Sequence, residues 1–153
     1  MAEKKYTPMM QHYLKMKEEN PDSISFYRLG DFYEMFFEDA KLVSQELDLV
    51  LTGRSAGVEE KVPMCGIPFH AANSYIQRLV KKGYKVAICE QLEDPSSAKG
   101  LVDRGIIKII TPGTYMDATM DAKSTNYMAS CDVSSFEITV IYCELSTGEL
   151  KYQ

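Results

Sequence analysis

The 153-residue sequence lacks the apolar segments that mark membrane and secreted proteins. No apolar run approaches the roughly 20 residues that a membrane-spanning helix needs. The N-terminal stretch MAEKKY has no apolar segment of the kind found in signal peptides. We therefore expect a soluble, cytoplasmic protein that has no membrane partner.

Cysteine and histidine are too few and too scattered to predict a metal site. The four cysteines contain no C-x-x-C pair, and only His12 and His70 could join them as ligands. Structural zinc sites usually draw their ligands from close pairs of this kind. We therefore expect no bound metal. The thiols are expected to be buried and reduced at all four positions, Cys65, Cys89, Cys131 and Cys143.

Sequence signatures of catalysis are also missing. Gly100 and Gly105 have the spacing of a phosphate-binding loop, but Ile106 and Ile107 stand where that loop requires Lys and Ser or Thr. Ser, His and Cys form no recognisable arrangement for nucleophilic catalysis. The sequence therefore predicts neither a phosphate-binding loop nor a nucleophilic catalytic site.

Basic residues are fewer than acidic ones, 17 Lys or Arg against 22 Asp or Glu, which gives a net charge of −5. Residues 53–112 hold nine Lys or Arg against six Asp or Glu, whereas residues 1–52 hold six against ten and residues 113–153 two against six. This balance argues against a generic nucleic-acid binder, and only the middle third is expected to attract a polyanion weakly. Each basic candidate for a phosphate contact is by default a solvated surface charge: Arg28, Arg54, His70, Lys99, Arg104 and Lys108.

Hydrophobic residues make up 45% of the chain, and their spacing predicts an α+β fold: a mixed β-sheet with flanking helices. Thr7 and Pro8 mark the start of a first helix, which Asn20 ends. Further helices are predicted over 38–48 and 71–82. Strands are predicted over 23–29, 32–37, 49–51, 84–91 and 106–110, with a flexible loop at 52–57 and an extended, turn-rich segment at 62–70.

The composition changes after residue 114. A polar, acidic stretch over 116–125 predicts a linker, and strands are predicted over 127–133, 136–145 and from 149 onward. Three antiparallel strands without a covering helix are marginally stable alone. We therefore expect one domain over 1–115 and the beginning of an incomplete, β-rich second domain over 126–153.

The segment 23–37 is the most informative. Two aromatic-rich runs flank Gly30-Asp31, which predicts a hairpin with a tight turn. The period of two divides the second strand between two faces, with Phe32, Glu34 and Phe36 on one and Tyr33, Met35 and Phe37 on the other. Aromatic hairpins are usually core, but a buried, unpaired carboxylate is costly. Spacing alone favours a packed hairpin with a solvated Glu34 over an exposed binding wedge.

Five blocks of the sequence carry a resemblance: TPMMQ at 7–11, FYRLGDFYE at 26–34, PMCGIPFH at 63–70, VAICEQ at 86–91 and TPGT at 111–114. Together they resemble the N-terminal domain of the MutS family of DNA mismatch recognition proteins. The stretch from 127 onward, including LSTGE at 145–149, resembles the start of the MutS connector domain.

The resemblance implies that Phe32 and Glu34 form the Phe-x-Glu motif of this family. In the family, the Phe enters the minor groove and stacks on a mispaired or unpaired base, and the Glu hydrogen-bonds that base. Leu29 stands beside the wedge, where many bacterial members have Met. The candidates for DNA backbone contact or support of the wedge are Arg28, Leu29, Arg54, His70 and Arg104.

The resemblance also implies partners and a location. Mismatched duplex DNA, the remainder of the MutS protein and a second MutS subunit are the expected partners, in the cytoplasm and associated with the nucleoid. The ATP and Mg²⁺ used by the full-length family are expected to bind outside these residues, so the resemblance implies that this chain is not itself an enzyme and holds no cofactor.

Two alternatives remain open from the residues alone. One is a metal-dependent nuclease that holds Mg²⁺ with Asp31, Glu34, Glu38 and Asp39. The other is a structural or protein-interaction domain of α+β type, in which the Phe32 ring is buried core.

Overall fold

The structure, a computed structural model, describes residues 6–92, 103–114, 127–145 and 147–153. These fall into two compact units, Met1–Pro112 and Gly113–Gln153. The predicted linker over 116–125, Lys99, Gly100 and Ser146 lie outside the described residues.

The first unit is a six-stranded mixed sheet flanked by three helices, which confirms the predicted α+β class. The helices are α1 (Pro8–Glu19), α2 (Phe37–Leu47) and α3 (Ala72–Lys81). The strands are β1 (Ser23–Leu29), β2 (Phe32–Phe36), β3 (Thr52–Arg54), β4 (Val62–Pro68), β5 (Lys85–Gln91) and β6 (Arg104–Ile110). Their order is β3-β4-β2-β1-β5-β6, in which only β1 and β5 run parallel.

Helix α1 begins as the sequence predicts. The Thr7 hydroxyl accepts a hydrogen bond from the Met10 amide at 3.4 Å, and Pro8 occupies the first helical position. The buried side chains of Met10 and Tyr13 belong to the same core cluster as Tyr27 of β1 and Phe36 of β2. Helix α1 therefore covers the sheet face on which β2 also carries Phe32 and Glu34.

A buried carboxylate joins α1, β1 and α2. Asp39 accepts hydrogen bonds from the Tyr13 hydroxyl at 3.1 Å, the Ser25 amide at 2.9 Å and the Lys17 ammonium at 2.8 Å. Burial, together with the negative charge of Asp39, raises the pKa of Tyr13. Because three donors satisfy it, Asp39 is a structural residue of the core.

The prediction of a strand over 49–51 was wrong. Helix α2 ends at Asp48, which is left-handed (φ +56), and Val50 and Leu51 are exposed without a strand partner. The strand forms instead at β3, where a flexible loop was expected, because β4 offers its edge there. Pairing with a neighbouring strand thus outweighs the local β propensity of the apolar run.

Phe37 also departs from the predicted pattern. Strand β2 ends one residue earlier, and Phe37 adopts φ +53 at the start of α2. Its ring packs near Tyr6 and Tyr13, on the α1 side of the sheet, and not with Met35 on the opposite face. The positive φ breaks the alternation of a regular strand.

The second unit is a three-stranded antiparallel sheet, as predicted. Its strands are β7 (Tyr127–Val133), β8 (Ile138–Glu144) and β9 (Leu150–Tyr152), in that order. Large apolar side chains are exposed along it: Tyr127, Met128, Val133, Phe136, Ile138, Ile141, Leu150 and Tyr152.

The four cysteines are all free thiols, but not all are buried. Cys65 and Cys89 lie in the first unit's core, where burial raises the pKa of each thiol to about 12. The expectation of burial was wrong for Cys131, which is exposed, and for Cys143, which is half-buried, because the described residues of the second unit form only a sheet.

Among the described residues, no helix combines the length and apolar character needed to span a membrane.

Candidate functional site

The β1–β2 turn places Phe32 at the end of the sheet. Gly30 adopts φ +56, and a Cβ there would meet nothing within 4 Å, so glycine is favoured by backbone conformation and not by space. Phe32 pairs in register with Leu29 of β1 and Pro68 of β4, and 48% of the residue is exposed. The alternative in which Phe32 is a core residue is therefore wrong.

Glu34 lies on the same face of β2 as Phe32, but it is neither solvated nor unpaired. Only 15% of its side chain is exposed, and its Oε2 accepts a hydrogen bond from Nη1 of Arg54. The Arg54 guanidinium also lies 6.0 Å from the centroid of the Phe36 ring, so its side chain runs along the sheet face. A half-buried ion pair replaces the solvated carboxylate that spacing alone predicted.

The two side chains of this ion pair meet across β4. Glu34 is in register with Gly66 on β4, and Arg54 of β3 is in register with Val62 on the other side of the same strand. Gly66 has no side chain, and a Cβ there would lie 3.5 Å from Cγ of Glu34. Glycine therefore leaves open the position next to the Glu34 side chain.

On the opposite face, Arg28 holds the turn that precedes Phe32. Its Nε donates to the carbonyl of Gly30 at 2.5 Å, and its guanidinium lies 3.7 Å from the centroid of the Phe69 ring. The Phe69 amide donates to the carbonyl of Asp31 at 2.9 Å. Two hydrogen bonds from two stacked residues thus fix both residues of the turn.

Glu90 of β5 completes the contacts of Arg28. Its Oε1 lies 3.4 Å from Nη1 of Arg28 and accepts a hydrogen bond from the Tyr33 hydroxyl. Burial, with the neighbouring Glu90 carboxylate, raises the pKa of Tyr33 to about 12. Sequence reasoning missed Phe69 and Glu90 as supports, although both lie inside the blocks PMCGIPFH and VAICEQ.

Of the remaining basic candidates, one is buried and two are exposed. Arg104 is buried, its Nε donates to the carbonyl of Arg28 at 2.9 Å, and its guanidinium lies 5.4 Å from the Tyr27 ring. His70, in a single 3-10 turn after β4, and Lys108 of β6 are exposed. The default of a solvated charge therefore holds for the last two and fails for Arg104.

A cleft of about 330 Å³ lies between α1 and β6. His12 and Lys15 line it from the helix, and Arg104 lines it from the sheet. Nδ1 of His12 lies 2.9 Å from the Tyr27 hydroxyl, and burial raises the pKa of Tyr27 to about 12 despite the opposing charge of Arg104. His12 and Arg104 are thus tied into the fold around Tyr27.

The carboxylates of the nuclease alternative do not converge. Asp39 is committed to the core bonds described above, Glu34 pairs with Arg54, and the Glu38 carboxylate accepts from Lys41 at 2.7 Å. Within the described ranges, no group of three or more His, Cys, Asp or Glu side chains is arranged to hold a metal ion. The structure therefore gives this alternative no ligand set.

The fold and site define an α+β domain that presents an exposed aromatic ring and a paired carboxylate at one end of its sheet. The family model described as MutS domain I matches residues 7–119. The chain is 61% identical over 144 residues to the DNA mismatch repair protein MutS of Clostridium botulinum (strain Loch Maree / Type A3), covering 94% of this chain and 16% of the relative. It is 58% identical over 146 residues to the DNA mismatch repair protein MutS of Clostridium tetani (strain Massachusetts / E88), covering 95% and 17%.

The chain belongs to the MutS family and contains its domain I. It spans about a sixth of the length of the curated relatives that it matches.

Proposed function

We propose that this chain recognises mispaired or unpaired bases in duplex DNA through Phe32 and Glu34, as part of DNA mismatch repair. The observation that carries the proposal is the exposure of Phe32 at the end of β2, with Glu34 two residues further on the same face. Family membership supports the same conclusion, because the relatives are named as DNA mismatch repair proteins.

Phe32 has the properties of an intercalating wedge. Inserting an apolar ring between base steps costs a few kcal/mol of unstacking, and this cost is smallest where base pairing is already faulty. Stacking on a base stabilises the complex by about 1–3 kcal/mol. A ring fixed at the end of a paired strand is ready to stack without an ordering cost.

Glu34 supplies discrimination. A carboxylate close to phosphates is repelled in any duplex, whereas a base edge that donates a hydrogen bond compensates that repulsion. Arg54 moderates the repulsion, because the ion pair presents less net negative charge than a free carboxylate. The preference for a faulty base pair then depends more on the hydrogen bond between the base edge and Glu34 than on the negative charge of Glu34.

Among the described residues, few of the candidates are placed to contact phosphate. Arg28 and Arg104 are committed to contacts within the fold, which leaves His70 and Lys108 as the exposed candidates of the described ranges and Leu29 as an apolar neighbour of the wedge. With a net charge of −5, we expect the isolated chain to bind duplex no more tightly than non-specific contacts do, at a Kd of about 10⁻⁴ to 10⁻⁶ M.

The chain acts in this proposal as a binding module and not as an enzyme. The other domains of a MutS protein, a second subunit, ATP and Mg²⁺ contribute from outside these residues, in the cytoplasm on nucleoid DNA.

The test uses a chimera, because tight DNA binding is expected to need the other domains. In the full-length Clostridium tetani relative, the aligned 146 residues are replaced by those of this chain. Titrations with matched and mismatched duplexes give the mismatch preference, which is the ratio of the two affinities. Phe32→Ala should remove most of this preference, while Phe136→Ala, which removes a fully exposed ring in the second unit, should leave it unchanged. A full preference in Phe32→Ala would overturn the proposal.

A further inference from the structure

We propose that Arg54 is the positioning residue for Glu34: it binds one carboxylate oxygen and leaves the other directed at the base. This inference rests on the proposed function and assigns to Arg54 a role in discrimination instead of a contact with phosphate. Its basis is the ion pair across β4, which joins the two side chains before any DNA is present.

The two carboxylate oxygens of Glu34 have different environments. Oε2 accepts the hydrogen bond from Nη1 of Arg54. Among the described residues, Oε1 has no hydrogen-bond partner, and 15% of the side chain is open to solvent. The ion pair therefore holds one carboxylate oxygen and leaves the other as an acceptor, on a residue that shares its β2 face with Phe32.

Arg54 is itself held in place. Its guanidinium lies 6.0 Å from the centroid of the buried Phe36 ring, and 35% of its side chain is exposed. Gly66 keeps the space next to Glu34 free of another side chain. A planar guanidinium on an ordered sheet face constrains its partner more strongly than a mobile surface lysine does.

A phosphate contact would behave differently. A residue that neutralises one phosphate strengthens binding to matched and mismatched duplexes alike and contributes about 0.9 to the slope of log affinity against log salt concentration. A residue that acts through Glu34 changes the mismatch preference, which is the ratio of the two affinities and which a phosphate contact leaves unaltered. The two roles of Arg54 are therefore separable by experiment.

The test is a double-mutant cycle in the chimera described above. Glu34→Gln, Arg54→Met and the double variant are titrated with matched and mismatched duplexes at several salt concentrations. We expect each single variant to lower the mismatch preference about tenfold, which is the scale of one hydrogen bond to a charged group, and the double variant to lower it no further. Arg54→Lys should restore part of the preference, because lysine still donates to Oε2.

The matched control is Arg78→Gln, which removes the same charge from the exposed end of α3. It should leave the mismatch preference unchanged. Thermal melts of all variants exclude unfolding as the cause of a loss.

A second measurement needs no DNA. In the 153-residue chain, the NMR resonance of the Arg54 guanidinium should shift in Glu34→Gln and not in Glu38→Gln, which removes an exposed carboxylate nearby in sequence. An Arg54 chemical shift that is unchanged in Glu34→Gln would show that the ion pair is not formed in solution. This result would overturn the inference even if an Arg54 variant unfolded.

The outcomes also separate this inference from the proposed function. If Phe32→Ala keeps the full mismatch preference, the proposed function fails. If Phe32→Ala and Glu34→Gln lose the preference while Arg54→Met keeps it in full and only weakens binding to both duplexes, only the role of Arg54 fails. Additive losses in the double variant would likewise show that Arg54 acts independently of Glu34.

Discussion

The guanidinium of Arg28 stacks 3.7 Å from the centroid of the Phe69 ring, and both residues hydrogen-bond the turn before the wedge. One contact comes from β1 and the other from the 3-10 turn that directly follows β4, and β1 and β4 are the two strands that flank β2. The position of Phe32 is thereby set by both neighbouring strands and not by the turn alone.

Phe69→Ala should loosen this turn. The substitution removes the cation–π contact, which is worth about 0.5–1 kcal/mol at an exposed site, and frees Arg28 from its stack. We expect faster amide exchange at Asp31 and Phe32 and a small loss of stability, of about 0.5–1 kcal/mol. Hydrogen exchange on the 153-residue chain measures the first effect, and urea unfolding measures the second.

The control for this prediction is Phe136→Ala, which removes an exposed ring that makes no such stack. It should change neither the exchange at the turn nor the free energy of unfolding of the first unit. Unaltered exchange in Phe69→Ala would show that the turn holds its shape without the Arg28 stack.

Local patterns were sufficient to predict the wedge strand. The Gly30-Asp31 turn and the alternation of aromatic residues place Phe32 and Glu34 on one face, as the structure has them. The exposure of Phe32 was not predictable, because it depends on which side chains from distant segments cover that part of the sheet. The period of two also failed at Phe37, where a positive φ turns the ring to the other side.

The ion pair of Glu34 was beyond any local pattern. Arg54 lies 20 residues away in sequence and reaches Glu34 across β4. The strand that carries it, β3, was itself predicted as a loop, because its sequence is polar and glycine-containing. Only the pairing of β3 with β4 brings the two charges together, and pairing between distant segments is tertiary information.

Asp39 offers a direct measure of how much the buried network stabilises the first unit. Asp39→Ala leaves the Lys17 ammonium, the Tyr13 hydroxyl and the Ser25 amide without their shared acceptor. Removing one partner of a buried pair costs about 3–5 kcal/mol. Urea unfolding should show a loss of this size, whereas Glu38→Ala, one residue earlier and exposed, should change stability by about 0.5 kcal/mol or less.

A loss below about 1 kcal/mol in Asp39→Ala would mean that water replaces the carboxylate and that the network contributes little.

Alkaline pH should destabilise the first unit. Burial raises the pKa of the Cys65 and Cys89 thiols from 9.0 to about 12, and that of the Tyr27 and Tyr33 hydroxyls from 10.0 to about 12. In the unfolded chain these groups lose protons at lower pH, so the stability they contribute is complete below about pH 9. It is lost as the pH rises from about 9 to 12.

Urea unfolding at a series of pH values tests this expectation. Each such group should lower the free energy of unfolding by about 1.4 kcal/mol per pH unit inside its window. Cys65→Ala should therefore show a shallower decline above about pH 9, while Cys131→Ala, which removes an exposed thiol, should follow the unmodified chain. Parallel declines in all three chains would contradict the assigned burial of Cys65.

Glu34→Ala should separate affinity from discrimination. The substitution removes the hydrogen bond to the base, worth about 1.5–3 kcal/mol for a charged acceptor, and also removes a negative charge close to the phosphates. It leaves Arg54 without its partner on the same sheet face, which adds local positive charge. In the chimera, binding to matched duplex should therefore strengthen, while the additional affinity for a mismatch shrinks. Paired titrations at two salt concentrations measure both changes, and the gain on matched DNA should be larger at low salt because it is electrostatic. Equal weakening on both duplexes would mean that Glu34 supports the fold of the site and does not contact the base.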